Sequence, residues 1–262
     1  LMFNAVDIIV VGRFSGSQSL AAVGSTTALI NVFTNLFIGI SLGANVLAAR
    51  YYALEKSKEM SETVHTAIAF ALISGVGMAV IGLLMAKPAL ELMGTPDDVI
   101  AKSTLYMRIY FCGMPFFMLY NYGAAILRAV GDTKRPLIFL LISGVINAIL
   151  NLFLVIQFHL DVAGVGIATV ISQLISCILV LRCLYCSESS YQFRPEKLNI
   201  RSRYLRQIFE VGIPAGIQST VINLSNAMLQ SSVNSFGSIS MAGYTAANNI
   251  FGFLYVSINS VT

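Results

Sequence analysis

Charged residues are scarce in this chain. Of its 262 residues, 16 are Lys or Arg and 12 are Asp or Glu, so charged side chains make up only 11%. Soluble globular domains carry about 25% charged residues. The mean hydropathy of +0.79 points the same way. This composition excludes an ordinary soluble domain and favours a chain that crosses a membrane several times. The net charge of +4 gives no indication of nucleic-acid binding.

Residues that commonly carry enzyme chemistry are also few. The chain has two His and four Cys, and it contains neither a GxxxxGK[ST] phosphate-binding loop nor a Ser–His–Asp arrangement. Cys183 and Cys186 form a CxxC pair, but no second Cys or His pair lies near them. We interpret this pair as helix packing rather than a metal site. We therefore predict a protein that is not an enzyme and needs no cofactor.

Long apolar runs dominate what is present. Runs of about 20 residues, separated by polar breaks, are typical of membrane-spanning helices. Eight such spans are predicted, at residues 1–12, 20–49, 63–86, 99–127, 136–158, 161–184, 207–234 and 241–262. The fold class is therefore an all-α polytopic membrane protein. Because both ends of the sequence lie inside apolar runs, we expect a fragment of a longer chain.

Basic residues predict the orientation of the spans. Twelve of the 16 Lys and Arg residues lie in or directly beside the connections after the second, fourth and sixth spans. The other four lie nearer the opposite ends of the spans: Arg13, Lys87, Lys102 and Arg108. Positive residues are retained on the cytoplasmic side of a membrane. The first span should therefore run from the cytoplasm outward, with the even-numbered connections in the cytoplasm.

A weak internal repeat predicts the domain organisation. Two short sets of residues near spans one and two recur near spans seven and eight. The first set recurs 222 positions later: Asn4, Ala5, Val11 and Phe14 match Asn226, Ala227, Val233 and Phe236. The second set recurs 221 positions later: Gly16, Ser17, Ser19 and Ala21 match Gly237, Ser238, Ser240 and Ala242. We predict a first helical bundle at residues 1–185, a cytoplasmic linker at 186–206 and the start of a second bundle at 207–262. Because six spans separate the copies, the repeat is parallel, and the whole protein should hold two bundles of six helices.

One acidic residue stands apart from the rest. Asp161 and Glu210 lie in the first turns of their spans, so Asp7 is the only carboxylate deep within an apolar run. A charged Asp there costs roughly 3 kcal/mol on insertion scales. Such a residue is tolerated where it faces a polar cavity, binds an ion or carries a proton. Asp7 is therefore a candidate site for a proton or a cation. Alternatively, since Arg13 follows six residues later, Asp7 could lie at a span end and reach interfacial water.

Five short motifs occur in the order NAVDIIVVGR, LRAVGDTKRP, NAILN, VAGVGIAT and VGIPAG. Together they resemble the multidrug and toxic compound extrusion (MATE) family of transporters. Residues 4–13 (NAVDIIVVGR) resemble the end of that family's first helix, and residues 127–136 (LRAVGDTKRP) resemble its connection between helices 4 and 5. Residues 147–151 (NAILN), 162–169 (VAGVGIAT) and 211–216 (VGIPAG) resemble its signatures in helices 5 to 7. The resemblance extends from late helix 1 to helix 8. It implies a twelve-helix antiporter that exports amphipathic or cationic organic compounds and is driven by inward flow of H⁺ or Na⁺.

The resemblance also implies a cation or proton site. Its residues, transferred by motif, are Asp7, Asn121, Asn147 and Thr169. Asn151 occupies a position where many relatives have Asp. Its spacing of four places it on the same helix face as Asn147, but the site then lacks a second titratable group. Carboxylate and amide oxygens suit Na⁺, so a sodium ion at Asp7 is one interpretation. In residues 222–224 (INL) no Glu appears, so the second-bundle sodium site of some relatives is not expected.

The substrate pocket is less clearly indicated. Aromatic residues suit a promiscuous apolar site but equally suit lipid contact. The candidates are Phe37, Tyr110, Tyr120, Tyr122 and Tyr255. The expected partners are a small organic compound, the coupling cation and the lipid bilayer. We expect a monomer in the plasma membrane, which in bacteria is the inner membrane. Two alternatives stay open: a lipid-precursor flippase of the same superfamily, and a helical bundle with a binding or scaffold role and no transport activity.

Overall fold

The computed structural model describes residues 2–187 and 189–259, with side chains described for 6–187 and 189–252. These residues form nine α-helices and no strand. The helices are α1 (Met2–Phe14), α2 (Ser17–Ala53), α3 (Ser57–Leu92), α4 (Asp97–Cys112), α5 (Met114–Ala129), α6 (Lys134–Leu152), α7 (Asp161–Tyr185), α8 (Ser202–Asn234) and α9 (Ser238–Asn259). A short π-helical segment, Phe153–Gln157, extends α6.

The eight predicted spans correspond to these helices in order, with one difference. The fourth span was predicted as continuous over 99–127, whereas the structure divides it into α4 and α5 at Gly113. Pro115 explains the division, because it has no N–H to donate to the carbonyl of Phe111 four residues earlier. Pro214, in contrast, lies inside α8 without ending that helix.

Four helices are individually long and apolar enough to cross a membrane: α2, α3, α6 with its π-helical extension, and α7. In the described residues α1 has 13 residues, and α4 and α5 have 16 each, so the latter two cover one span only together. Lipid-facing surface is recognisable on α3, where large apolar side chains are exposed along one face at Ile73, Val76, Val80 and Leu84. This is the arrangement that a helix in contact with acyl chains requires.

The predicted repeat agrees with the backbone at its turns. The turn from α1 to α2 passes through Gly16 at φ 87°, and the turn from α8 to α9 passes through Gly237 at φ 86°. These two glycines are equivalent in the repeat. A positive φ strains residues with a Cβ atom, so Gly at this position serves the same purpose in both copies.

The segment that joins α7 to α8 is attached to α3. His65 is only 3% exposed, and its Nδ1 lies 2.6 Å from the carbonyl oxygen of Ser61. Nδ1 therefore carries the proton, and Nε2 accepts a bond of 3.1 Å from the backbone N–H of Arg194. One residue later, the hydroxyl of Thr66 accepts the backbone N–H of Arg201 at 3.2 Å. The predicted linker thus lies against the first bundle along residues 194–201.

Helices α2 and α8 approach each other through small residues. Each carries two glycines four residues apart, Gly39 and Gly43 on α2 and Gly212 and Gly216 on α8. A Cβ atom added at any of the four would meet backbone atoms of the facing helix at less than 3.0 Å. Such close backbone contact provides the dispersion energy that holds membrane helices together. It fixes α8 against the first bundle.

We predict that Gly39→Ala destabilises the protein by about 1–3 kcal/mol, because the added methyl group overpacks this contact. Thermal unfolding of the detergent-solubilised full-length protein would measure the change. Gly77→Ala is the matched control, since a Cβ there meets nothing within 4 Å. Equal unfolding temperatures for the two variants would contradict the close packing of α2 and α8.

Candidate cation site and adjoining cavity

The predicted acid lies in a polar cluster buried where α1, α6 and α7 meet. Asp7 is 2% exposed. Its Oδ1 accepts a hydrogen bond of 2.6 Å from Asn151 Nδ2, and its Oδ2 accepts one of 3.2 Å from the hydroxyl of Thr169. Each helix therefore contributes one member, and both carboxylate oxygens have a donor.

Asn147 completes the cluster. Its Oδ1 accepts from Asn151 Nδ2 at 3.2 Å, and its own Nδ2 donates to the Thr169 hydroxyl at 3.4 Å. Asn147 and Asn151 lie one turn apart on α6, so both point to the same side of that helix. Four of the five residues predicted for the cation site are thus brought together.

An ion pair links α4 to the start of α7. Lys102 of α4 contacts the Asp161 carboxylate at the start of α7, with 2.7 Å between Nζ and Oδ2. The same ammonium group donates to the Ser19 hydroxyl of α2 at 2.8 Å. The contact joins α2 and α4 to the start of α7, two turns before Thr169.

The Asp7 carboxylate has no cationic partner in the described part of the chain. A buried charge that is hydrogen-bonded but not neutralised is costly. Asn151 Oδ1 is also buried and has no hydrogen-bond partner among the described atoms. A proton on Asp7, or a small cation held by carboxylate and amide oxygens, would remove that cost. Within residues 2–187 and 189–259, no three His, Cys, Asp or Glu side chains cluster as a transition-metal site would require.

A cavity of about 600 Å³ adjoins this cluster. It is lined by five helices of the first bundle, α2 and α4 to α7, together with Asp7 of α1. Its lining residues are Asp7, Thr27, Ile30, Asn31, Tyr106, Tyr110, Phe117, Tyr120, Asn121, Arg128, Leu137, Leu140, Leu141, Gly144, Thr169, Gln173 and Ser176. This volume and this mixture of aromatic walls with a few polar groups are typical of small-molecule sites.

The remaining predicted residues are placed differently. Asn121 lines the cavity, but its Nδ2 donates to the Phe117 carbonyl of its own helix at 2.8 Å rather than to the Asp7 cluster. Tyr110 and Tyr120 line the cavity as predicted for substrate contact. Tyr122 lies fully buried in the core, where its hydroxyl donates to the Phe37 carbonyl at 3.2 Å.

Neither Phe37 nor Tyr122 belongs to the cavity wall among the described residues. The difference has a simple cause: Tyr120 and Tyr122 are two residues apart on one helix, so they point about 200° apart around its axis. The side chain of Tyr255 lies outside the described residues.

Two further cavity residues, Gln173 and Ser176, escaped the sequence analysis. They follow Thr169 on a single face of α7 at spacings of four and three, and the three side chains form a polar stripe along the cavity. Spacings of three and four indicate one face of a helix, so this stripe could have been predicted from the sequence. Arg128, one of the basic residues that the sequence analysis used only to predict orientation, also lines the cavity.

The described helices and their apolar surfaces define a multi-pass membrane protein with a buried polar cluster. The MatE family model matches residues 1–153, more than half of the chain, and the chain belongs to the MATE family. Members of this family are transporters rather than enzymes. The predicted fold class, the membrane location and the family resemblance are therefore confirmed.

Relatives and solved structures extend the match to nearly the whole chain. The chain is 32% identical over 256 residues to the probable multidrug resistance protein YoeA of Bacillus subtilis, covering 95% of this chain and 55% of that protein. It is 24% identical to the multidrug export protein MepA of Staphylococcus aureus, covering 93% and 54%. An inward-facing multidrug resistance MATE transporter of the MOP superfamily has the same fold, with TM-score 0.88, 22% identity and coverage of 95% and 57%. The chain thus spans about half the length of these relatives.

We predict that Thr169→Val lowers the stability of the full-length protein by roughly 1–3 kcal/mol, because one oxygen of a buried carboxylate loses its donor. Thr63→Val is the matched control: Thr63 is equally buried, but its hydroxyl donates only to the Glu59 carbonyl of its own helix. Chemical or thermal unfolding in detergent would compare the two. A change no larger than that of the control would indicate that Thr169 does not support Asp7.

Proposed function

We propose that this chain is part of a secondary antiporter that exports amphipathic or cationic organic compounds in exchange for H⁺ or Na⁺. The observation that carries the proposal is the Asp7 carboxylate, buried without a cationic partner at the wall of a cavity large enough for a drug-sized compound. Two relatives, the probable multidrug resistance protein YoeA and the multidrug export protein MepA, support this class of substrate.

The geometry suggests how ion and substrate are coupled. Asp7 is the contribution of α1 to a cluster otherwise formed by α6 and α7. When a proton or sodium ion neutralises Asp7, α1 can pack against α6 and α7 without a buried charge. When the ion leaves, the charge favours another arrangement of α1 in which water or a cationic substrate reaches the carboxylate. An ion that prefers one of two packings shifts the equilibrium between them.

Both ligands then compete for the same oxygen atoms. The cavity brings its aromatic side chains Tyr106 and Tyr110 close to Asp7, so a positively charged aromatic compound could stack there and face the carboxylate. Release of the coupling ion and binding of the substrate would alternate, as antiport requires. We further propose that the complete protein acts as a monomer in the plasma membrane.

We predict that Asp7→Asn abolishes export by the full-length protein while leaving it inserted in the membrane. The amide keeps the size and polarity of the side chain but cannot gain or lose positive charge. Efflux of a fluorescent organic cation from proteoliposomes, with proton and sodium gradients imposed separately, would measure the effect and identify the coupling ion. Glu91→Gln is the control, since Glu91 is an exposed carboxylate in an ion pair with Lys87.

Near-normal efflux by the Asp7→Asn variant would remove Asp7 from the mechanism. Efflux by the unchanged protein in the absence of any imposed cation gradient would exclude antiport itself.

A further inference from the structure

Arg128 lies in the wall of the cavity that also contains Asp7. It belongs to the last turn of α5, on the same face as Phe117 and Asn121, which line the cavity deeper in the bundle. From Phe117 to Arg128 is 11 residues, or about 16 Å along a helix axis. Arg128 is exposed, whereas Asp7 is 2% exposed. The cavity therefore has a guanidinium group near its solvent-accessible end and a carboxylate at its buried end.

The guanidinium group of Arg128 has no carboxylate partner in the described part of the chain. The acid nearest to it in sequence, Asp132, is bound by Arg135 instead. Its Oδ2 lies 3.3 Å from Arg135 Nε, and its Oδ1 accepts the Arg135 backbone N–H at 3.1 Å. Arg128 consequently keeps its hydrogen-bond donors available to a ligand.

These two charged groups are the only ones that line the cavity among the described residues. Aromatic and aliphatic side chains, among them Tyr120 and Leu137, make up much of the remaining wall. A guanidinium group can bind an anionic group such as a carboxylate through two parallel hydrogen bonds. The cavity is thus polarised so that an aromatic compound with one positive and one negative group would match both ends.

We propose that Arg128 is a specificity-determining residue that binds an anionic group of the transported compound, so that the cavity accepts zwitterionic amphipaths as well as cations. The positive group of such a compound faces Asp7, and its carboxylate faces Arg128. The inference rests on the proposed function, because it concerns the same cavity. The inference goes beyond the proposed function because it assigns part of the substrate selectivity to a residue outside the Asp7 cluster.

The test uses two dyes that differ in one group. Rhodamine 6G carries an ethyl ester, and rhodamine 19 is the same chromophore with a free carboxylate. Efflux of each dye from proteoliposomes would be measured at pH 7.5 for the full-length protein and for Arg128→Gln, Arg128→Lys and the control Arg182→Gln. Arg182 lies near the end of α7 and, like Arg128, makes no ion pair among the described residues, but it does not line the cavity.

We expect Arg128→Gln to reduce rhodamine 19 efflux at least tenfold and to leave rhodamine 6G efflux within twofold of the unchanged protein. Arg128→Lys should fall between, since it keeps the charge but loses the paired hydrogen bonds. Arg182→Gln should alter neither dye. An equal loss of both dyes, or no loss of either, would overturn the proposal and assign Arg128 to lipid headgroup contact or to helix structure.

A binding measurement separates this inference from the proposed function. Fluorescence anisotropy of the two dyes with detergent-solubilised protein reports affinity whether or not transport occurs. Tenfold weaker binding of rhodamine 19 alone to Arg128→Gln would support the assignment even if no efflux is detected, in which case only the antiport function fails. Equal affinities of the unchanged and variant proteins for rhodamine 19 would contradict the assignment.

Discussion

The site depends on one interaction, the contact between the Asp7 carboxylate and its two donors, Asn151 and Thr169. The three residues come from three helices, so the contact decides how α1 sits against α6 and α7. A carboxylate in an apolar bundle is tolerated only when its oxygens are satisfied and its charge is balanced. The described residues supply the two donors but no cation. Under the proposed function, a proton, a sodium ion or a cationic compound balances the charge.

The surrounding architecture keeps this site in register. The Lys102–Asp161 ion pair positions the start of α7, and the glycine contact between α2 and α8 fixes the first helix of the second bundle against the first bundle. The segment after α7 is bound to α3 by His65 and Thr66. These contacts lie outside the cavity. In the proposed mechanism they hold the bundle while α1 changes its packing, as in a two-state transition between packed helices.

Much of the fold could be predicted from the sequence, because the membrane permits few structures. Apolar runs of about 20 residues became helices in the predicted order, and Gly16 and Gly237 form equivalent turns in the two copies of the repeat. The division of the fourth span was not predicted, since Pro115 and Pro214 look alike in sequence and only Pro115 lies at a break. The difference depends on tertiary packing, which a single sequence does not display.

The site was predicted in part for the same reason. Asp7, Asn147, Asn151 and Thr169 carry a motif and a spacing, so they could be identified before the structure was known. Tyr122 carries neither, and residue type alone could not decide between the cavity and the core. Arg128 shows the opposite case: its place at a helix end favoured an interfacial role, and only the three-dimensional cavity revealed that it faces the same space as Asp7.

The central claim is that the charge state of Asp7 sets the packing of α1. The most direct measurement is the distance between spin labels at Phe14, at the end of α1, and Leu160, just before α7, both of which are exposed. It would be made by double electron–electron resonance on the full-length protein with its native cysteines replaced. The account predicts that the distance distribution shifts when sodium or protons are added and that Asp7→Asn shows a single distribution under all conditions. An identical distribution with and without the cations in the unchanged protein would contradict the account.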